Sequence, residues 1–446
     1  MRSPREDEAL QTARDAVALA LAAGATGAEA TVGIGRRLSV EARESVVTKL
    51  EQSTGKSLTV RVFVDGRKTT FATADFERDG LRAALARAVE QAEHVATDEL
   101  ARLPDERAGS VPDLDLYDPA IVERGDDAGA EDAIAIERAL READPRIVNS
   151  NGSHFGDSSS LVALANSDGF AGCYVATRAS RSTSPVAHDG PHKRTAHYGT
   201  AARRLDELDD NAEVARIAAM RTTEMFGARK PDTVRVPVIF ERDVAAAVLS
   251  DIFSAISAAN VAAGNSWLAG RIGEKIGSDL ATIVDDGRLP GRLGSSPFDG
   301  EGVATRRTVV FERGILRSFL YDSYFARRLG AATTGNASGG GIGPNSLYLE
   351  AGTGSLAELV AKTRRGILVL DTIGFATEHA TGTYSRGARG FAIENGELAF
   401  PVEEFTIAAS LPDMLAGIDA VAGDLRFDGS VVSPSFRVAE MTISGS

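Results

Sequence analysis

The sequence predicts an α+β protein of two domains: an N-terminal helix-and-sheet domain over residues 1–228 and a strand-rich C-terminal domain over residues 229–446 with a mixed or antiparallel sheet. Three observations support this prediction. A chain of 446 residues is too long for one ordinary hydrophobic core. Helical spacing alternates with strand runs in the first half, whereas short strand runs and glycine turns dominate from Thr282 onward. Lys230-Pro231-Asp232 separates the two patterns.

In the first domain, apolar residues three to four positions apart predict helices at residues 7–23, 79–95, 130–143 and 212–226. Gly24 and Gly227 follow two of these helices and supply a stop. Residues 31–71 read as strands, and the runs 58–64 and 68–72 flank Asp65-Gly66 as a hairpin. Residues 161–177 predict two strands around a turn, and the acidic residues 98–119 predict a surface connection.

In the second domain, residues 234–240 start a fresh strand, and residues 244–263 predict a long helix of small and apolar residues. Further short strands are expected at 308–311, 315–321, 347–349, 367–370, 391–393, 405–408 and 430–433. The glycine cluster at residues 338–343 is consistent with either a disordered loop or a site of close backbone approach.

Composition narrows the class of protein. A hydrophobic content of 43% with 25% charged residues is typical of a folded globular chain. The net charge of −14 argues against direct nucleic-acid binding, which needs a basic surface. One cysteine, Cys173, excludes an internal disulfide framework, and no apolar run reaches the roughly 20 residues that span a bilayer. The charged N-terminus lacks a secretory apolar segment, so a cytoplasmic enzyme or enzyme subunit is expected, with no membrane partner.

The most informative stretch is residues 381–401, TGTYSRGARGFAIENGELAFP. Gly382, Gly387 and Gly390 allow positive φ angles or the close approach of another chain. Asn395-Gly396 between two apolar runs is a strong hairpin signal. This density of glycine and turn residues predicts a loop that packs closely against another chain or another part of the protein.

Several passages resemble the TldD/PmbA family on its PmbA (TldE) side. They lie in order along nearly the whole chain: residues 113–119, 166–169, 296–302 (SPFDGEG), 319–330, 334–337 and 381–415. The sequence departs from the family pattern at Thr383, where an acidic residue is usual, and at Arg389, where a small residue is common.

The resemblance implies a subunit without the family's zinc site. TldD-type members carry an HExxxH helix that opens the second domain, together with a distal cysteine. The corresponding helix here, residues 244–253, contains no histidine, and Cys173 lies in the N-terminal half. We therefore expect no metal-binding and no catalytic residue in this chain, with zinc carried by a TldD-like partner. The family is linked to maturation of ribosomally made peptides, degradation of unfolded small proteins and, more loosely, modulation of DNA gyrase.

Other catalytic patterns are weak. His188 and His192 are four residues apart, but Gly190-Pro191 breaks any helix between them, which favours a strand and loop. A serine nucleophile lacks the G-x-S-x-G elbow, and residues 339–343 lack the Lys-Ser/Thr of a phosphate loop. His379 is read as a hydrogen-bonding residue near a cleft or, less simply, as a ligand.

Backbone groups of the glycine block could pair with an extended peptide substrate by strand addition. The candidate peptide-binding residues are Gly382, Tyr384, Ser385, Arg386, Gly387 and His379. In this hypothesis Arg386 holds a carboxylate or carbonyl of the peptide and Tyr384 packs on its chain. The structural alternative is that the glycines form tight turns and Arg386 pairs with Glu378 or Glu394.

Three functions stay open at this point. The first is the TldE-type subunit of a heteromeric TldD/TldE zinc metalloprotease acting on peptides. The second is a stand-alone homodimeric peptide-binding or regulatory protein. The third is a divergent amide hydrolase of natural-product biosynthesis, against which the missing zinc ligands count.

Overall fold

The computed structural model describes residues 3–106 and 108–445. The N-terminal part has five α-helices, α1 (Pro4–Ala22), α2 (Arg78–Ala92), α3 (Pro119–Glu123), α4 (Gly125–Ala143) and α5 (Asn211–Thr223), and a 3₁₀ turn at Leu205–Glu207. Its strands are β1 (Gly27–Arg43), β2 (Val46–Val64), β3 (Arg67–Thr73), β4 (Ile147–Asn166), β5 (Ala171–Asp189), β6 (His192–Thr195) and β7 (Tyr198–Ala202). All seven strands form one antiparallel sheet of order β3-β2-β1-β4-β5-β6, with β7 also paired to β5.

Helices α1 and α4 cover one face of this sheet. Val32 of β1 packs in a core with residues of α1, and Leu38 of the same strand packs against Ala133 of α4. The strand period of two puts such even-numbered residues on one face. Gly129 lets α4 approach closely, because a Cβ there would lie 2.9 Å from side-chain atoms of Leu38 and Phe155.

The predicted elements of this part are confirmed, with small shifts at their ends. Helix α1 begins at Pro4, three residues before the predicted start, because Ser3 and Glu6 form a capping box. The hairpin between β2 and β3 turns at Asp65 (φ 46°) and Gly66 (φ 76°), the two positive angles of a type I′ turn.

The C-terminal part contains five more helices, α6 (Arg242–Ile256), α7 (Ala258–Ala262), α8 (Ser323–Leu329), α9 (Leu356–Ala361) and α10 (Leu411–Ala416). Its first strands are β8 (Val234–Phe240), β9 (Ile283–Asp286), β10 (Arg307–Glu312), β11 (Ile315–Leu316), β12 (Ala337–Ser338), β13 (Gly341–Ile342) and β14 (Leu347–Leu349). The remaining strands are β15 (Arg365–Glu378), β16 (Thr383–Glu394), β17 (Glu397–Ser410), β18 (Ile418–Val421), β19 (Val431–Val432) and β20 (Phe436–Ser444).

Five of these strands close into a barrel. The order is β17-β16-β15-β8-β20, and β20 also pairs with β17, while β18 extends the wall beside β20. Strand β8 runs parallel to β15 and antiparallel to β20, so the sheet is mixed, as predicted. A second sheet of order β11-β10-β9-β14-β19 lies nearby, and α6 packs in one core with residues of both sheets.

Three local predictions are wrong. The strand expected at residues 315–321 ends at Leu316. The long helix divides at Ser257 (ψ 120°), where the backbone forms a bridge to Leu320. The glycine block is not a loop, since residues 383–394 form the continuous strand β16. Of the two alternatives for residues 338–343, the disordered loop is not formed, because the segment is the small hairpin β12–β13, which turns at Gly339 and Gly340.

The SPFDGEG segment links the two parts of the molecule. Phe298 packs edge-on against Phe170 and Tyr174, with ring centroids 5.1 and 5.2 Å apart. Next to it, Arg61 of β2 binds Glu29 of β1 and the backbone carbonyl of Gly300. This contact is therefore partly apolar and partly ionic. No helix among the described residues combines the length and the apolar character needed to cross a bilayer.

Candidate functional site

Strand β16, which carries most of the glycine block, lies in the middle of the barrel wall. Thr383 to Glu394 pair with β15 on one side and with β17 on the other. Both edges of this backbone are therefore occupied. The prediction that it is open for an extended peptide to add as a strand is wrong, because a strand with two neighbours has no unpaired edge.

The glycines of β16 serve the close packing of the wall. A Cβ on Gly390 would lie 1.8 Å from the carbonyl oxygen of Leu368 on β15, at a point where the register shifts. Only glycine fits such an approach. Gly387 is half-buried and lies opposite Ile373 of β15. Part of the glycine signal in the sequence thus reports barrel packing.

Arg386 of β16 reaches across to helix α6 and forms a buried ion pair with Asp251. Its Nη2 donates to both carboxylate oxygens, at 2.8 and 3.0 Å, and its Nη1 donates to the carbonyl oxygen of Gly374 at 2.7 Å. The two side chains are only 11% and 12% exposed. The alternative that Arg386 pairs with Glu378 or Glu394 is wrong in its choice of partner, because the helix supplies the carboxylate.

Tyr384 lies in the barrel core beside this pair and is 1% exposed. The Arg386 guanidinium lies 5.5 Å from the centre of its ring. Burial raises the pKa of the Tyr384 phenol well above its usual range. A side chain so enclosed has no surface on which a peptide could pack. The prediction that Tyr384 packs on the peptide chain is therefore wrong for this conformation.

His379 and Gly382 lie just before β16, against Trp267. The backbone N–H of Trp267 donates to the carbonyl oxygen of His379 at 3.3 Å. Gly382 has φ 76°, and a Cβ there would lie 3.0 Å from Pro412 and 3.1 Å from the Trp267 ring. Both the positive φ angle and the lack of space for a Cβ therefore favour glycine at position 382. Ser385 is half-buried on β16, where it pairs with Ala408.

Three buried nitrogen atoms in this region have no hydrogen-bond partner among the described residues. They are Nδ1 of His379, Nε1 of Trp267 and Nε of Arg386. Buried polar atoms in folded proteins are nearly always paired, so this grouping marks the region as unusual. We call it the barrel-end site and define it by Asp251, Trp267, His379, Gly382 and Arg386.

The donor set of helix α6 does not fit a zinc ion. Asp251 is the one carboxylate in the middle of that helix, and Arg386 already holds both of its oxygens. Structural and catalytic zinc sites need three or four nitrogen, sulfur or carboxylate ligands. In the part of the chain that the structure describes, no group of three or more such side chains is placed to hold a metal.

The remaining histidines follow the strand-and-loop interpretation. His188 and His192 lie on β5 and β6, whose hairpin turns at Gly190 (φ 59°). His197 accepts or donates one hydrogen bond with Ser184 at 3.2 Å. Burial lowers the pKa of His197. Among the described residues, no contact joins His188, His192 or His197 to His379.

Sequence reasoning missed two features. Asp251 is the one acid beyond the first turn of a helix that is otherwise mostly small and apolar, and such an isolated acid is a sequence signal of a buried pair. The second feature is a pair of buried carboxyl groups at the contact between the two parts of the molecule. Burial raises the pKa values of Glu29 and Asp299 to about 7 in each case.

Comparison with known proteins gives one consistent result. Models of the PmbA/TldA metallopeptidase domain 1, central domain and C-terminal domain match residues 28–96, 121–226 and 233–445. A metalloprotease PmbA homolog of Haemophilus influenzae is 34% identical over 99% of this chain and 97% of its own length. The metalloprotease PmbA of Escherichia coli O157:H7 is 33% identical over 98% and 96%.

Two solved structures share the fold over almost the whole chain. A putative modulator of DNA gyrase from Bacteroides thetaiotaomicron aligns with a TM-score of 0.92 and 28% identity, covering 99% of both chains. TldE from Thermococcus kodakarensis aligns with a TM-score of 0.89 and 23% identity, covering 97% of this chain and 100% of that one. The sequence identity and coverage of the metalloprotease relatives are sufficient to assign the chain to a family. The chain belongs to the PmbA/TldD metallopeptidase family.

Proposed function

We propose that this chain is the non-metal-binding, TldE/PmbA-type subunit of a two-subunit zinc metalloprotease that cleaves unfolded or ribosomally made peptides in the cytoplasm. The observation that carries the proposal is the chemistry of helix α6. The family resemblance places α6 where TldD-type members carry their zinc-binding histidines, whereas α6 contains no histidine and its central carboxylate, Asp251, is held by Arg386. A TldD-like partner would supply zinc, which activates water and polarises the scissile carbonyl.

The Asp251–Arg386 pair would give this subunit its structural role. It fastens α6 to the barrel wall through a charge-assisted bond to each carboxylate oxygen. The same guanidinium also holds the bulged end of β15 through the Gly374 carbonyl. In the proposed complex this rigid face closes the reaction chamber and leaves the half-buried His379, Ser385 and Arg386 as candidate peptide contacts.

Expression of the chain alone and together with a TldD-like subunit tests the proposal. The chain alone is expected to bind zinc only substoichiometrically and to leave casein intact. The two chains together are expected to copurify and to cleave casein. Cleavage by the metal-stripped chain alone would overturn the proposal, and so would copurification without any gain in activity. A homodimer that ignores the second chain would favour a stand-alone binding protein.

A pair of histidine variants tests the peptide contact within the complex. We expect His379→Ala to raise KM while kcat stays the same, because a group that contacts only the bound peptide contributes equally to ground state and transition state. His94→Ala, at an exposed position after α2, is the matched control and should leave both constants unchanged. Equal KM values for the two variants would remove His379 from the proposed contacts.

A further inference from the structure

The outer edge of β2 is open for most of its length. Strand β3 pairs only with Leu58 to Val64 of β2. On the outer side of residues 46–57, no strand lies among the residues that the structure describes. Eleven of these twelve residues are exposed, and Val47 is half-buried. This edge therefore presents a row of unpaired backbone N–H and C=O groups.

The usable part of this edge is free of bulges and nine residues long. A bulge at Thr48 interrupts the pairing of β1 and β2, whereas residues 49–57 pair with β1 from Glu41 to Gly33 without a shift. Bulges and lysines commonly protect edges from unwanted pairing. Here the bulge and Lys49 stand at one end, and Lys56 stands at the other. Apart from Leu50, the side chains between them are small or polar. The nine residues 49–57 span about 30 Å.

An open groove lies beside one end of the same stretch, at residues 54–56. Its volume is about 1440 Å³. Ile34 and Arg36 of β1 and Thr54 and Lys56 of β2 line it from the sheet. The start of α1 and residues 111–117 contribute its walls. Thr54 and Lys56 thus face a space large enough to accept side chains of a neighbouring strand at this end of the stretch.

We propose that residues 49–57 of β2 bind an extended peptide as an added strand, in line with β3, with the peptide side chains beside Thr54 and Lys56 directed into the groove. The proposal rests on the proposed function in that the peptide is taken to be an unfolded substrate. Strand addition uses main-chain hydrogen bonds and therefore reads little sequence. Lys56, at the end beside the groove, favours a neutral or acidic peptide, whereas Lys49 is already paired with Glu51 at 2.9 Å.

The character of the edge favours a peptide over a second copy of the chain. Leu50 is the one large apolar side chain in residues 49–57. Stable association of two folded copies requires about 1,200 Å² or more of buried surface with good packing. Each copy also carries a net charge of −14, which repels the other. A flexible peptide needs neither a large apolar surface nor a second edge of matching shape.

Two labelled peptides of the same sequence test the backbone pairing. Each is a nine-residue fluorescein-labelled peptide of Ser, Thr, Val and Glu, and one of them is N-methylated at alternate residues. Fluorescence anisotropy measures their binding to the isolated full chain. Each lost backbone hydrogen bond weakens binding several-fold, so N-methylation should raise Kd by about tenfold or more. Equal affinity for both peptides, or no binding of either, would overturn the proposal.

A cysteine pair locates the binding. Thr54→Cys should form a disulfide with a peptide that carries one cysteine, whereas Leu398→Cys, exposed on the barrel, should not. Cys173 is buried but also lines the groove, so it is replaced by serine in both variants to remove background cross-linking. Cross-linking only at residue 398 would overturn the proposal, as would a disulfide between two Thr54→Cys chains without peptide. Neither measurement uses the partner or catalysis, so failure here leaves the proposed function standing, and loss of the proposed function leaves these results interpretable.

Discussion

Replacement of Glu29 by glutamine should change how the stability of the protein depends on pH. Glu29 is 2% exposed and accepts a hydrogen bond from Nε of Arg61 at 2.9 Å. Glu301 lies 3.6 Å from the same guanidinium. Burial raises the pKa of Glu29 from 4.5 to about 7, and the attraction of Arg61 only partly offsets this effect. The native protein therefore holds a proton that the unfolded chain releases.

The sign and size of the effect follow from this difference. Because the native pKa of Glu29 is raised, its stabilising contribution is fully present below pH 4.5 and is lost as the pH rises to about 7. Over that window the free energy of unfolding should fall by about 1.4 kcal/mol per pH unit, or about 3 kcal/mol in all. Glutamine cannot titrate, so the Glu29→Gln variant should gain about 3 kcal/mol relative to the wild type between pH 4.5 and pH 8.

Urea unfolding at several pH values between 4.5 and 8 measures this difference. Buried carboxyl groups that are distant from Glu29 titrate in both proteins, so their contributions cancel when the two curves are subtracted. Glu51→Gln is the control, because the Glu51 side chain is 61% exposed on β2, and its curve should run parallel to that of the wild type. If the curve of Glu29→Gln also runs parallel to the wild type, burial does not hold a proton on Glu29 and the reasoning fails.

Two further predictions concern the barrel. Arg386→Met should lower the free energy of unfolding by about 3 kcal/mol, because it leaves the Asp251 carboxylate buried without its partner. Adding Asp251→Leu should recover most of that loss in the same urea titration, and a double variant no more stable than the single one would contradict a buried ion pair. Gly390→Ala should prevent normal barrel formation, because its Cβ would lie 1.8 Å from the Leu368 carbonyl oxygen. Gly55→Ala, where a Cβ meets no atom within 4 Å, is the matched control, and equal near-ultraviolet circular dichroism and melting temperature for the two variants would refute the packing argument.

Periodicity and turn chemistry predicted most of the fold. The strand at Val234–Phe240 and the strand at Leu347–Leu349 appear where they were predicted, because each is an apolar run between clear breaks. The hairpin at Asp65-Gly66 likewise follows from local conformational preference. These signals need only neighbouring residues, so a single sequence carries them.

The glycine block was misjudged because its glycines respond to strands far away in the chain. Local preference counts glycine against a strand, but here Gly390 allows β15 and β16 to approach closely in a closed wall. The site was also only partly predictable. Arg386 was singled out, yet its partner Asp251 lies 135 positions away, and no local pattern connects the two. Whether His379, Ser385 and Arg386 contact a peptide stays a prediction.

The closure of the barrel has a consequence for how the protein is made. Val234 of β8 pairs with Ile443 of β20, and β20 also pairs with β17. The barrel therefore cannot close until β8 and β20, which come from opposite ends of the domain, have both been synthesised. Such long-range pairing makes assembly slow, because the entropy of a very large loop is lost before the contact is gained. Until β20 pairs with them, β8 and β17 each have one unpaired edge. In this state the nascent chain is most vulnerable to aggregation and to chaperone binding.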